Sequence, residues 1–535
     1  MTIQKPVLRE ALSDPAVVLP LDPTATIERQ RRIFSLRAWL ITAVLFMVPL
    51  AAYWPATFHD YGLRDDYSNL RESHEEPAAV LKFCASTARP IYGWLLQATY
   101  GQTTSVQNLQ WMRLFAAILL GAISLAMFRG LRFLGWSFRA SLCFAVMLSL
   151  VPSAQVIASW AVGWPYAATA LLAIAGFFTT EGALLAGAGG RGPGRVRIGQ
   201  WILALALMAF CALIYQSSAL FYVVPLAGAL IAQRRRGLRE TVAWLGVHLG
   251  VVVTSLGLAY SAMSVLYAAG VFVKSGRVAF EHHWGGKLLW FLTEALPNGL
   301  SLFVLNDDNH RDRFWYLACA GVVGVLLSAG LVLEWRRHGR ERGVIWAIGL
   351  LGLPVFALGI SLVASERYAT YRTILAMTAV LLCFLVASVR ALTLHWHITN
   401  RRLLAMGVAA VAFVTAQHHA YALIAVPQGN EWQLIMQGAK HVRIDGPIRP
   451  RIFAIASSPA DISTATIYHD EFGSLSSNSE WVPKEMFKRA MHDLHPEVRN
   501  LDSRYQFASG YRLPAGEHYD VIIDLHQLRR FYIDN

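Results

Sequence analysis

Eleven apolar runs, beginning near residues 38, 111, 140, 165, 200, 217, 241, 314, 343, 371 and 403, fill most of the chain before position 425. Each is roughly long enough to cross the hydrocarbon core of a bilayer, which takes about 20 residues or slightly fewer. Only 15% of the chain is charged against 55% hydrophobic, where soluble domains carry nearer a quarter charged. These runs exclude a soluble globular fold and predict an α-helical polytopic membrane protein with about eleven transmembrane helices.

Two runs, 140–180 and 199–233, are each long enough for one tilted span or two short ones. Charge decides between the readings. Arg129, Arg132 and Arg139 precede the first run, Arg191, Arg195 and Arg197 follow it, and Arg234, Arg235, Arg236 and Arg239 follow the second. Basic loops face the cytoplasm, so each run goes out and comes back. Pro152 with the WAVGWP segment makes one outer turn and Tyr215 to Ser218 the other. The short loops 129–139, 181–199, 233–240, 335–342 and 390–402 then hold 17 Lys and Arg, and the short loops opposite hold two, Arg367 and Arg372. That asymmetry predicts a cytoplasmic N-terminus and an outer C-terminus. It also absorbs much of the net charge of +13, which argues against a nucleic-acid partner.

The chain divides into a cytoplasmic N-terminal tail (1–37), a transmembrane module (38–424) with outer loops 57–110 and 263–313, and an outer domain (425–535). The tail is expected to be disordered and lacks the basic-then-apolar form of a cleavable signal peptide. Past Pro427 hydropathy falls, and β-like runs appear at 451–457 and 519–525 around an amphipathic helix at 479–494. This predicts a small α/β domain. Cys84, Cys143, Cys211, Cys319 and Cys383 show no paired spacing, and four lie in apolar runs, so neither disulfides nor a cysteine metal site is expected. The AGAGGRGPG stretch at 186–194 reads as a linker.

Chemistry concentrates in the first outer loop. His59 to Pro90 carries Asp60, Asp65, Asp66, Glu72, Glu75 and Glu76 with Arg64, Arg71, Lys82 and Arg89 interleaved. A loop that merely joined two helices would need far fewer ionisable groups. The pair Asp65-Asp66, followed by the step Ala88-Arg89-Pro90 before the next helix, resembles the GT-C glycosyltransferases. The resemblance is greatest to bacterial serotype-converting glucosyltransferases, in which a Gly-Arg-Pro-like step stands where this chain has Ala88. It implies an inverting enzyme of the bacterial inner membrane that moves a monosaccharide from a polyprenyl-phosphate carrier to a surface-glycan or lipid-linked acceptor, such as growing lipopolysaccharide.

Independent of the resemblance, such a transfer needs a base for the acceptor hydroxyl and cations for the departing phosphate. No P-loop or Gly-rich nucleotide fingerprint occurs, consistent with a lipid-linked donor. Asp66, with Asp65 second, is the candidate base. Arg367, Tyr368, Arg372, Arg89, Lys274 and Arg277 are candidates for the donor phosphate and lipid. Arg64, His282 and His283 are candidates for substrate contact. A divalent metal is an open alternative, although His59, His74 and Glu75 match no standard ligand spacing. Trp160 and Trp164 read as interfacial belt residues, and 470–481 as a polar loop. Two alternatives stand beside this reading. One is an O-antigen polymerase or ligase working through His282 and His283; the other is a flippase or transporter, which would bury ionisable groups mid-span.

Overall fold

The computed structural model describes residues 36–76, 78–188, 194–232, 237–307, 313–456, 468–498 and 500–528. The expected N-terminal tail and the centre of the 186–194 linker lie outside the described residues. The chain forms two compact units, residues 1–45 and 46–535. Of the first unit, the described residues contribute the opening turns of the helix Leu36–Thr57.

Among the described residues, seven helices are long and apolar enough to cross a membrane, or eight if the bent pair Phe138–Leu148 and Pro152–Ser159 counts as one span. Thus the architecture is mostly helical and multi-pass, but eleven independent spans are not reached by length and composition. The difference lies in the two hairpins and in the run near 343, whose helix Arg340–Ala357 opens on Arg340, Glu341 and Arg342. The 140–180 run breaks by 49° at Pro152, where the proline cannot donate to the helix ladder. Helices Gly194–Ile214 and Gln216–Ala219 are separated by Tyr215 in extended conformation. Both breaks fall where the outer turns are expected.

Local chemistry closes the opposite ends. Helix Leu109–Phe133 terminates at Gly135, whose φ of +97° suits glycine, with Trp136 N–H returning to the Leu131 carbonyl at 2.9 Å. Ser137 then caps the next helix by accepting from Ala140 N–H. Small residues bring helices together: a Cβ at Gly130 would strike the ring of Phe178, and one at Gly330 would strike Ser388.

The last apolar run does not stop at 425. Helix Arg401–His418 continues through a π-helical turn at His419–Ala425 into Val426–Lys440. The widened turn accommodates Pro427, whose missing N–H would otherwise interrupt the ladder. Hydropathy drops at 425, but the helix carries on into the C-terminal domain. That domain holds a three-stranded parallel sheet in the order β2-β1-β3, with β1 Arg451–Ile455, β2 Gln506–Gly510 and β3 Val521–Asp524. Helix Val482–Leu494 supplies the crossover from β1 to β2, as parallel pairing demands. All five cysteines are free.

Candidate active site

Arg113 builds the frame of the site. It is fully buried near the start of helix Leu109–Phe133 and donates to the carbonyls of Thr57 (3.1 Å), His59 (2.8 Å) and Tyr61 (2.8 Å). These carbonyls end the first helix and begin the outer loop, so one guanidinium satisfies groups the helix leaves orphaned. The Tyr61 hydroxyl donates to Ser159 O at 2.5 Å, and the Trp160 indole donates to Leu63 O at 3.0 Å. The loop is thereby tied to the broken hairpin.

This fixes which acid faces which way. In helix Asp65–Glu75, Asp65, Ser68, Asn69 and Glu72 line a cavity, whereas Asp66, Tyr67 and Leu70 are buried against the core. The spacing i, i+3, i+4, i+7 is one helical face. Adjacent residues lie about 100° apart on a helix, so the two aspartates cannot share a role. The Asp66 carboxylate accepts from Leu63 N–H at 2.9 Å and from the Tyr100 hydroxyl. Burial pushes Asp66 up to about 7, against the lowering effect of those hydrogen bonds. On sequence alone Asp66 is expected to face the substrate first and Asp65 second; of the two, Asp65 lines the cavity and Asp66 does not. Asp65 is open to the cavity yet enclosed by surrounding protein. Burial therefore raises its carboxyl, while Arg372, Arg64 and Arg277 pull it down.

The cavity has a volume of about 1190 Å³. Part of its lining is apolar, with Leu220, Val253, Leu256, Phe356 and Ile360. The lining also includes the basic side chains Arg89, Arg277 and Arg372, and Trp481 and Glu485 from the C-terminal domain. Arg372 is nearly buried, donates to Glu471 Oε1 at 3.0 Å and to the Tyr368 hydroxyl, and lies 4.3 Å over the Trp160 ring. Arg64 donates to the same Glu471 oxygen at 3.3 Å and to Ser474 Oγ at 3.1 Å. Burial raises the Glu471 carboxyl and the two arginines oppose it, so Glu471 holds both in place. Arg89 stacks over Tyr215 at 5.2 Å. The residue before it, Ala88, has φ +63°, and both its backbone groups are held, N–H by the Tyr267 hydroxyl (3.0 Å) and C=O by Gln216 (2.8 Å). A glycine-like conformation is thus kept at the position where a glycine is expected.

Asp65, Arg89, Arg277, Tyr368 and Arg372 therefore meet on one cavity, with Arg64 behind Glu471. Lys274, Arg367, His282 and His283 are exposed and off its wall. The backbone N–H groups of His282 and His283 bond Glu281, which orients them outward. Trp160 sits in the cavity wall rather than in an interfacial belt, and 470–481 supplies Glu471, Ser474 and Trp481 to the site rather than serving as plain loop. These contacts span about 400 positions, and no local pattern announces them.

Among the described residues, no three His, Cys, Asp or Glu side chains are placed to hold a metal ion. Ionisable groups do occur between helices: Glu181 accepts from the Trp244 indole at 2.9 Å and lies 3.5 Å from His248, which contacts the Tyr222 hydroxyl at 2.8 Å. Each has a neutral or complementary partner, as buried polar groups require.

No protein-family model matches the chain, and no curated protein matches it. The crystal structure of the Archaeoglobus fulgidus oligosaccharyltransferase, in complex with zinc and sulfate, aligns at 12% identity with a TM-score of 0.41. The alignment covers 88% of this chain, which spans 62% of the length of that one.

Proposed function

We propose that this protein is a membrane glycosyltransferase of the GT-C type. In this reading it moves a monosaccharide from a polyprenyl-phosphate carrier to an acceptor hydroxyl, on the outer face of a bacterial inner membrane. The carrying observation is one cavity lined by Asp65, by Arg89, Arg277 and Arg372, and by apolar side chains such as Leu220, Leu256 and Phe356. An isoprenoid chain fits the apolar wall, its phosphate the arginines, and the sugar the space beside Asp65.

The steps balance without a cofactor. The Asp65 carboxylate takes the proton of the acceptor hydroxyl as its oxygen attacks the anomeric carbon. The bond from that carbon to the phosphate oxygen breaks, and the electron pair leaves with polyprenyl phosphate. Arg372, pre-oriented by Glu471 and Trp160, stabilises the charge that develops there. Attack from the face opposite the leaving group inverts the anomeric configuration. A polymerase or ligase working through His282 and His283 is less well supported, because both side chains lie off the cavity.

The test uses the full chain in detergent with a polyisoprenyl monophosphate, and with the matching polyisoprenol as control. The phosphate is expected to raise Tm, since at 100 times Kd a ligand stabilises by about 2.7 kcal/mol. Arg372→Ala is expected to weaken binding by roughly tenfold or more, the worth of a charge-assisted contact. Equal shifts from phosphate and alcohol would overturn the donor assignment. A reporter fused after Asn535 is expected to be active outside the cytoplasm, and one at Gly190 inside.

A further inference from the structure

The cavity lining holds a second group of side chains beside the arginines. From Asp65 outward the same helical face presents Ser68 and Glu72, and the crossover helix of the outer domain adds Trp481 and Glu485. Polar hydroxyl, amide and carboxylate groups replace the arginines of the donor wall. Arg71, directly behind, donates from Nε to Glu485 at 2.7 Å and from Nη2 to Glu72 at 3.4 Å. It holds the two acids in position from opposite helices, and neither needs to turn away from the cavity to find a partner.

Trp481 is the unusual member. It stands just before helix Val482–Leu494 in the water-facing domain, yet 46% of its surface is exposed. Among the described residues its ring stacks on no other ring. An indole left open beside acceptor groups is amphipathic in the way a pyranose ring is: C–H groups pack on the aromatic face while hydroxyls donate to carboxylates at the edge.

The geometry points to an acceptor subsite for an uncharged sugar ring, stacked on Trp481 and hydrogen-bonded by Glu72 and Glu485, in line with the base at Asp65. This rests on the glycosyltransferase reading and extends it: the acceptor is a glycan whose receiving residue is neutral. Away from the arginines around Asp65, the carboxylates of Glu72 and Glu485, joined by Arg71, repel uronic or phosphorylated residues. The basic donor wall and acidic acceptor wall give each substrate one end of the cavity.

The experiment is saturation-transfer NMR on the full chain in detergent, without donor, using maltotriose, trigalacturonate and a Ser/Thr-rich peptide as probes. Saturation is expected on maltotriose and not on the other two. Trp481→Ala is expected to weaken maltotriose binding by roughly tenfold, and Trp481→Phe to restore most of it. Glu72→Gln is expected to admit trigalacturonate. Polyisoprenyl monophosphate binding, read by Tm, is expected to stay at wild-type strength in Trp481→Ala, which also shows that the variant is folded. Absence of saturation on maltotriose, equal saturation on trigalacturonate, or a preference for the peptide overturns the subsite. An unchanged maltotriose affinity in Trp481→Ala overturns it as well. None of these outcomes touches the donor reading, which stands or falls on the phosphate.

Discussion

Replacing Asp65 and Asp66 one at a time by Asn separates a base from a structural acid, because both changes conserve shape. Asp65 faces the cavity, so Asp65→Asn removes basicity and little else. Loss of a general base costs about 10²–10⁴ in rate, and the folded state should keep or slightly gain stability, since burial already disfavours this charge. Asp66 uses both oxygens, one on Leu63 N–H and one on the Tyr100 hydroxyl. An Asn amide can keep its oxygen on Leu63 N–H but then gives its N–H to the Tyr100 hydroxyl, whose own proton loses its buried acceptor, at a cost of about 1–3 kcal/mol. A drop of several degrees in Tm follows, with transfer reduced far less than in Asp65→Asn.

The pH dependence adds a second signature. Burial raises folded Asp66 from 3.8 to about 7, so between those values the folded chain binds more protons than the unfolded one. Stability from this group is therefore full below about pH 4 and declines as pH rises toward 7. Asp66→Asn should flatten that decline. The assay is transfer of radiolabelled hexose from polyprenyl phosphate, with thermal unfolding of the same preparations across pH 4–8. A dead but stable Asp66→Asn beside an active Asp65→Asn would refute the assignment of faces.

Three further outcomes are expected. Asp65 must be ionised to act, so the acid limb of kcat/KM should lie above the ordinary carboxylate range; in Arg372→Ala, which removes the largest force lowering it, the residual activity should show that limb moved higher still. Ala88→Gly should leave transfer intact and Tm unchanged or slightly raised, because a left-handed non-glycine residue costs about 1–2 kcal/mol against glycine's larger entropy loss; a drop of several degrees would mean that φ is unstrained. Arg113→Met leaves three buried carbonyls without their charged donor at a cost of about 3 kcal/mol or more, so folded yield after extraction should collapse.

What the amino-acid order decided by itself is the part governed by period and by solvent. Long apolar runs must satisfy their own backbone, so helices form in them whatever they later touch. The Pro152 and Tyr215 breaks, the amphipathic helix before Leu494 and two of the three strands are local in the same sense, and each was legible. The loop that lines the cavity was legible too, as a concentration of charge that no mere connector needs. The roles inside it were not. Asp65 and Asp66 are chemically identical in sequence, and only the packing of Tyr67, Leu70 and Tyr100 turns one into the core and the other into the cavity. Arg113 looked like one more residue of an apolar run until three loop carbonyls converged on it. Glu471 and Trp481 stood in a polar stretch some 400 positions from Arg64. Their meaning comes from helix Arg401–His418 running on past 425 and carrying the outer domain over the cavity. Hydropathy records which solvent a segment meets. It holds no record of which distant side chain a carboxylate will face, because that is settled by packing between elements and not within them.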